Sequence, residues 1–495
     1  MASASPLKVP EGWGSIEQVV NAPLIGVPAD AWWISVIGMW LFLPVNLLMG
    51  IIGGLCQAII VCYSIGSCCP LSRTCASAYG SVQAGRPLYM AWVWWQYMIG
   101  GLVALMANGG SRLALFLWEW KAFGNGKYYW HGEGIWSPLY EDCDKILRSE
   151  QQRKSAFGCI VACIPDLFAT DILIFLSNGP DTQWAAIRQV LHKSLLDPDS
   201  AAYTRRLGEM KRKVAEAWPN PQLTDFNDTS KVQKTVAKCI MFMMFNVWIT
   251  EDEAQILTGW RTNASFFILP RLIQRFVFNY GINKVKQLRV DTMHIVVRNN
   301  LAGVFTEMNE ALPSRWQRHP TVKFADEIMY VIGFAGIGGT SACVESVGAF
   351  LQVKKPKESD AGAISFVKYP NVDAMKAAYK KNPEAYIRET CRMDPPVTSA
   401  TQVLKQTGAI DIAGTKLVTP EGMLNQYVLS IANRDDRLFP EPSVFNPERP
   451  NLAKALTWNG AWGTKDDVKN YPRICPGRDL ALSVARTITD HVMRV

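Results

Sequence analysis

The sequence predicts a mainly α-helical protein with a hydrophobic, membrane-embedded N-terminal segment. Three observations lead there. No charge occurs between Asp30 and Arg73, a run of 42 residues, and none between Arg86 and Arg112. Nine of the eighteen tryptophans (Trp13, Trp32, Trp33, Trp40, Trp92, Trp94, Trp95, Trp118, Trp120) fall in the first 120 residues. Beyond about Gly126 the charges become regular and apolar residues recur at helical spacing. With 49% apolar and 19% charged residues, the 495-residue chain can bury a large core, which excludes wholesale disorder.

In chain order, the first element is a membrane region, 1–127, with one or two spans at about 31–65 and 87–111. Spanning needs roughly 20 apolar residues, and both runs are long enough. Indole rings suit the bilayer interface, where the ring is apolar and the N–H stays wet. Pro44, Asn46 and the glycines at 50, 53 and 54 fit a kinked or re-entrant first run. A buried hydrophobic hairpin is the alternative. The second region, 128–495, begins with a helix over Leu139–Ser149, and Ser155–Asn178 is mixed and apolar. Helices follow at Thr182–Leu196, Ala201–Trp218 and Val232–Val247, then a long, sparsely charged one at Phe324–Val353. Asp373–Arg392 reads as two helices, the second opened by Asn382-Pro383. From Pro395 to Asp479 the chain is extended and rich in turns, and a last helix runs over Asp479–Met493.

Several function classes are disfavoured. The net charge of +8 contains no Lys/Arg block of the kind that binds nucleic acid, and fits an anionic membrane surface instead. Twelve scattered cysteines lack the even spacing of a disulfide scaffold and read as reduced thiols. Five isolated histidines (His131, His192, His294, His319, His491) make no metal motif.

Four separated segments carry chemistry. Arg473-Ile-Cys475-Pro-Gly477 lies just before the last helix, whose N-terminal dipole favours a thiolate, a state suited to ligating haem iron. Glu389 and Arg392, at i and i+3, share a helix face; alone they would be an ordinary surface ion pair of little energy. The Pro-rich stretch after Ala432-Asn-Arg-Asp435 has no hydrophobic period and needs side chains to fix it, with Arg449 a third partner for that pair. Upstream stand Trp184 and Arg188.

In this order the segments resemble the cytochrome P-450 (haem-thiolate) superfamily, from about Thr182 to the C-terminus. The resemblance implies the haem-thiolate fold and haem b (iron protoporphyrin IX) with Cys475 as the metal ligand. It implies that Trp184, Arg188, Arg473 and Gly477 bind the cofactor, and that Glu389, Arg392 and Arg449 form the structural triad. The helix Phe324–Val353 takes the place of the family's I helix, with catalytic positions at Ala335, Gly338, Gly339 and Thr340. A monooxygenase carries an acid and an alcohol where this chain has Gly338 and Gly339, so the usual proton relay is in doubt; Thr340, one position later, is a substitute.

A branch that lacks the relay is nearer: the plant-type allene oxide synthases, hydroperoxide lyases and epoxyalcohol synthases. It is similar in its Gly-Gly pair and in Trp458-Asn459-Gly460 ahead of the ligand loop. Val468 and Tyr471 stand where most relatives have Phe and Gly. The resemblance implies a membrane-associated enzyme of oxylipin metabolism, in the endoplasmic reticulum or plastid envelope. Its substrate would be a fatty-acid hydroperoxide in an apolar pocket, whose O–O bond ferric haem splits without dioxygen or a reductase. The alternatives are a monooxygenase on a lipophilic substrate, served by a redox partner, and a non-catalytic membrane protein of the same fold. Three departures stand out. Ala335 replaces an Asn of the plant-type enzymes. The N-terminal β-sheet region looks abbreviated. Only 20 residues follow Cys475, where the family adds a pocket-lining β-hairpin, so the expectation is a truncated product or a differently closed pocket.

Overall fold

A computed structural model describes residues 9–17, 127–131, 134–149, 182–263, 279–355, 364–403, 408–419, 424–461 and 470–494. The expected spans at 31–65 and 87–111 and the stretch 155–178 lie outside these residues.

β1 (Tyr129–His131) pairs antiparallel with β2 (Gly134–Ser137), and α1 (Tyr140–Arg148) follows. α2 (Gln183–Leu191) runs on into a π turn at His192–Leu196. Then come α3 (Ala201–Ala217), α4 (Thr229–Phe245), α5 (Glu251–Asn263), α6 (Asn279–Arg298) and α7 (Ala302–Glu310). α8 (Val322–Leu351) is the longest helix described, and α9 (Val372–Lys381) and α10 (Pro383–Met393) complete the helical body. The extended region holds β3 (Ala400–Val403), β4 (Gly408–Ile412), β5 (Thr415–Thr419) and β6 (Leu424–Tyr427). After it come short α11 (Leu429–Ala432), β7 (Leu456–Thr457), β8 (Gly460–Ala461) and finally α12 (Arg478–Met493).

Caps set the helix starts. Side chains of Thr182, Ser200, Asp228, Asn371 and Asn382 accept the N–H three residues on, at 2.9–3.2 Å. Asp228 thus starts α4 three residues before the apolar period does. Helices α5 to α7 are invisible to a simple reading of periodicity, and α5 has a local anchor. Thr250 and Glu253 form a reciprocal capping box ahead of α5 (3.2 and 3.0 Å).

α8 is apolar on most of its circumference and two thirds buried, as a core helix must be. It packs against α4, α5, α10 and α12. The small sheet has the order β1-β2-β6-β3. Its β2–β6 pairing is parallel, with Trp136 opposite Gln426, and joins residues nearly 300 positions apart. The N-terminal strands are therefore present but only three and four residues long.

Residues 9–17, upstream of both uncharged runs, join the main core. Trp13 is buried to 1% exposure, with its ring 6.5 Å from Phe305. The carbonyls of Gly12 and Trp13 accept the Thr321 and Val322 N–H groups (3.2 and 2.8 Å). These donors at the start of α8 have no acceptor within the helix, and no side chain provides a cap there. Trp13→Ala should therefore lower stability by about 3–5 kcal/mol, read as a lower urea midpoint. An unchanged midpoint would show that the segment is not packed there in solution.

Candidate haem-thiolate site

Glu389 and Arg392 share one face of α10, and both are fully buried. The pair is therefore not the surface ion pair that its spacing alone suggests. Arg392 Nε and Nη2 donate to the two Glu389 oxygens (2.7 and 2.9 Å). Arg449 Nε donates to Glu389 Oε1 at 2.9 Å, as does the Asn446 amide. The remaining N–H groups of the two arginines grip main-chain carbonyls of the Pro-rich segment. Arg392 reaches Asn433 (2.6 Å) and Pro442 (2.9 Å), and Arg449 reaches Glu441 (2.6 Å), Val444 and Pro440. A segment without hydrophobic periodicity is thus shaped by charge-assisted hydrogen bonds.

From this triad a line of bonds leads to the sulfur. Asn433, fully buried, pairs its amide side chain with both main-chain groups of Leu456 (2.7 and 2.9 Å) and so holds β7. Sequence reasoning quoted Asn433 but gave it no role. Trp458 and Asn459, which join β7 to β8, both have positive φ (47° and 63°), a backbone that favours the hairpin turn and is unusual for tryptophan. The Trp458 carbonyl accepts the Cys475 N–H at 2.8 Å. Gly460 lets the hairpin lie on the loop, because a Cβ there would come within 3.0 Å of Ile474 and Tyr471.

Cys475 stands three residues before α12 and is half-buried, whereas the other free cysteines described (Cys143, Cys239, Cys343, Cys391) are buried. Burial pushes the Cys143, Cys239 and Cys391 thiols up, which leaves them inert. Gly477 is the residue before α12, and a Cβ there would only touch Sγ at an ordinary contact distance of 3.9 Å.

The structure brings Trp184, Arg188 and Arg473 to this loop. Both guanidinium groups lie over the Trp184 ring, at 5.2 Å and 4.9 Å. Arg188 Nη2 donates to the Ile474 carbonyl. Burial, and then the like charge of Arg188, pushes the Arg473 guanidinium down to about 9; burial lowers Arg188 as well. Arg478 is also buried, and its Nη1 finds no hydrogen-bond partner among the described residues. Crowded, desolvated cations beside a half-buried cysteine fit a dianionic planar ligand such as haem. Arg188 and Arg473 would meet the propionates, and Cys475 would supply the sulfur.

On α8 the expected catalytic positions separate. Residues Ile332–Ile337 form a π turn. Trp260 of α5 presses on Gly333, where a Cβ would lie only 2.4 Å from the indole. Its ring also meets Tyr330 edge-on (5.3 Å), and Tyr330 stacks on Phe334 (5.7 Å). Ala335 is exposed, and Phe334, Gly336 and Gly339 are half-buried, with open space where side chains at Gly336 and Gly339 would grow. Gly338 is buried toward Arg261, which is paired bidentately with Glu345 (2.6 and 2.9 Å). Thr340 is buried at 4% exposure. The open strip thus contains Ala335 and Gly339 but neither Gly338 nor Thr340. Sequence reasoning missed Trp260, whose only signal is a large ring facing a glycine across two helices.

Glu389→Gln should cost about 3–5 kcal/mol, because it leaves two buried guanidinium groups without a counter-charge. The measurements are folded yield and urea midpoint, and a loss below 1 kcal/mol would remove the triad from its structural role.

The family model described as Cytochrome P450 matches residues 383–494, the stretch from α10 through the triad to α12. A divinyl ether synthase CYP74 of Allium sativum is 28% identical over 142 residues, which span 28% of this chain and 28% of that protein. Among solved structures, Mycobacterium smegmatis CYP164A2 with econazole bound superimposes with a TM-score of 0.54. It is 15% identical, covering 78% of this chain and 91% of that one. Epothilone D-bound cytochrome P450epoK gives 0.52 at 16% identity, covering 74% and 85%. Residues 383–494 thus resemble the cytochrome P450 family, whose cofactor is haem held by a cysteine thiolate, and the two solved structures share the fold of this chain.

Proposed function

We propose that this haem-thiolate protein rearranges fatty-acid hydroperoxides, without dioxygen or a reductase, at a membrane. One observation carries the reading: the open strip of α8, formed by Phe334, Ala335, Gly336 and Gly339, bears neither a carboxylate nor a hydroxyl. Dioxygen activation needs protons delivered to the distal oxygen. A hydroperoxide already contains the O–O bond and needs no such delivery. Similarity to a divinyl ether synthase over 28% of the chain supports the same branch. The uncharged runs at 31–65 and 87–111 support the membrane association.

In this reading Cys475 would provide the thiolate, and Arg188 and Arg473 would hold the propionates. Haem, when bound, supplies one-electron cleavage of the O–O bond. The chain's own contribution is steric and dielectric. Gly336 and Gly339 leave room for the acyl chain to pass close to the helix, and Phe334 makes that wall apolar. Ala335 offers no hydrogen bond to the hydroperoxide, so orientation comes from shape.

The test is loss of conjugated-diene absorbance from a fatty-acid hydroperoxide, with purified full-length protein and no reductant. Rapid loss is expected, and Thr340→Ala should leave it unchanged. Gly339→Leu should slow it by about tenfold or more by displacing the acyl chain. No loss with intact haem, together with turnover driven by a reduced nicotinamide cofactor and a redox partner, would favour the monooxygenase instead. Cys475→Ser should abolish the thiolate-type spectrum of the reduced, CO-bound protein; an unchanged spectrum would remove Cys475 as the ligand.

A further inference from the structure

Tyr471 stands in the ligand loop, four residues before Cys475, and its ring is fully buried. Its hydroxyl donates to Asp144 Oδ1 (2.5 Å) and accepts from Arg148 Nη2 (2.6 Å). Arg148 Nε in turn donates to Asp144 Oδ2 at 2.7 Å, closing a three-membered polar ring. Asp144 and Arg148 sit one turn apart on α1, so one helix face presents both partners to a residue more than 320 positions away. Burial, and then the bond to Asp144, push the Tyr471 phenol up, so the hydroxyl keeps its proton and remains a donor.

From Tyr471 the connection to the sulfur is short. The Tyr471 carbonyl accepts the Ile474 N–H at 2.9 Å, and the Ile474 carbonyl accepts from Arg188. The Cys475 N–H is bound by Trp458. The four-residue turn is thus tied at one end to α1 and at the other to α2 and the β7–β8 hairpin. A glycine in the place of Tyr471 would leave the first tie out. We propose that Asp144, Arg148 and Tyr471 form a clamp that holds the ligand loop so that the Cys475 sulfur would be in place to ligate haem, which makes α1 a working part of the haem site. The proposal rests on Cys475 being the haem ligand but not on the nature of the substrate.

The experiment uses the full-length haem protein. Tyr471→Phe keeps the ring and removes both hydroxyl bonds, while Arg148→Gln and Asp144→Asn weaken the clamp from the helix side. Each should speed transfer of haem to an apoglobin scavenger by about tenfold, the scale of one charge-assisted hydrogen bond. Each should also raise the share of the reduced, CO-bound protein that has lost its thiolate ligand. The Tyr471→Phe/Arg148→Gln double variant should be no worse than about the poorer single one, because both remove one unit. If wild type shows the thiolate spectrum while Tyr471→Phe and Arg148→Gln leave haem release and the spectrum unchanged, the clamp is overturned, whatever happens to the melting temperature. Absence of the thiolate spectrum in wild type would overturn both the clamp and the haem-ligand reading beneath it.

Discussion

Glu389 has no access to water, and its charge must be met by protein alone. Arg392, Arg449 and the Asn446 amide meet it, and the rest of both guanidinium groups holds the carbonyls of a proline-rich segment in place. An ion buried this way tolerates one arrangement, because losing any partner strands a charge in a low-dielectric interior. Order then passes outward through Asn433 to β7, through Trp458 to the Cys475 amide, and so to the sulfur. The loop that presents the cysteine is thus held by a series of bonds that begins at a buried carboxylate several steps away.

The long central helix follows a different rule. α8 carries four glycines within seven residues, each costing about 1 kcal/mol against alanine in a helix. Two of them have separate tasks. Gly333 admits the Trp260 ring, and the helix answers with a π turn, a device often found at functional sites. Gly339 faces open space and keeps that strip bare. The stability lost in the helix is recovered by burying it among α4, α5, α10 and α12 rather than by local propensity.

Much was legible in the residues. The triad, the cysteine loop and the Trp184/Arg188 pair are recognisable because each is a short pattern whose chemistry demands particular side chains, and the helix bounds near them follow from Asn, Thr and Ser caps. Helices α5 to α7 were not legible: their apolar faces are interrupted, and burial by neighbours, with the Thr250–Glu253 capping box ahead of α5, supports them. Trp13 read as an interfacial tryptophan by its company, yet it caps and covers the start of α8. Its residue type suits a wet interface and a packed core equally well.

The sequence by itself determined that a cysteine precedes a helix, that a carboxylate and two arginines stand at spacings able to pair, and that the long central helix carries glycines at 338 and 339 with Thr340 next to them. Only the tertiary structure decided which glycines on that helix are open, that Glu389 is buried rather than solvated, and that α1 reaches the ligand loop through Tyr471. The reason is the range of the forces involved. Caps, spacings and missing functional groups are local and written in neighbouring letters. Burial, desolvation and the Asp144–Tyr471 bond depend on chain segments that meet only when the core closes.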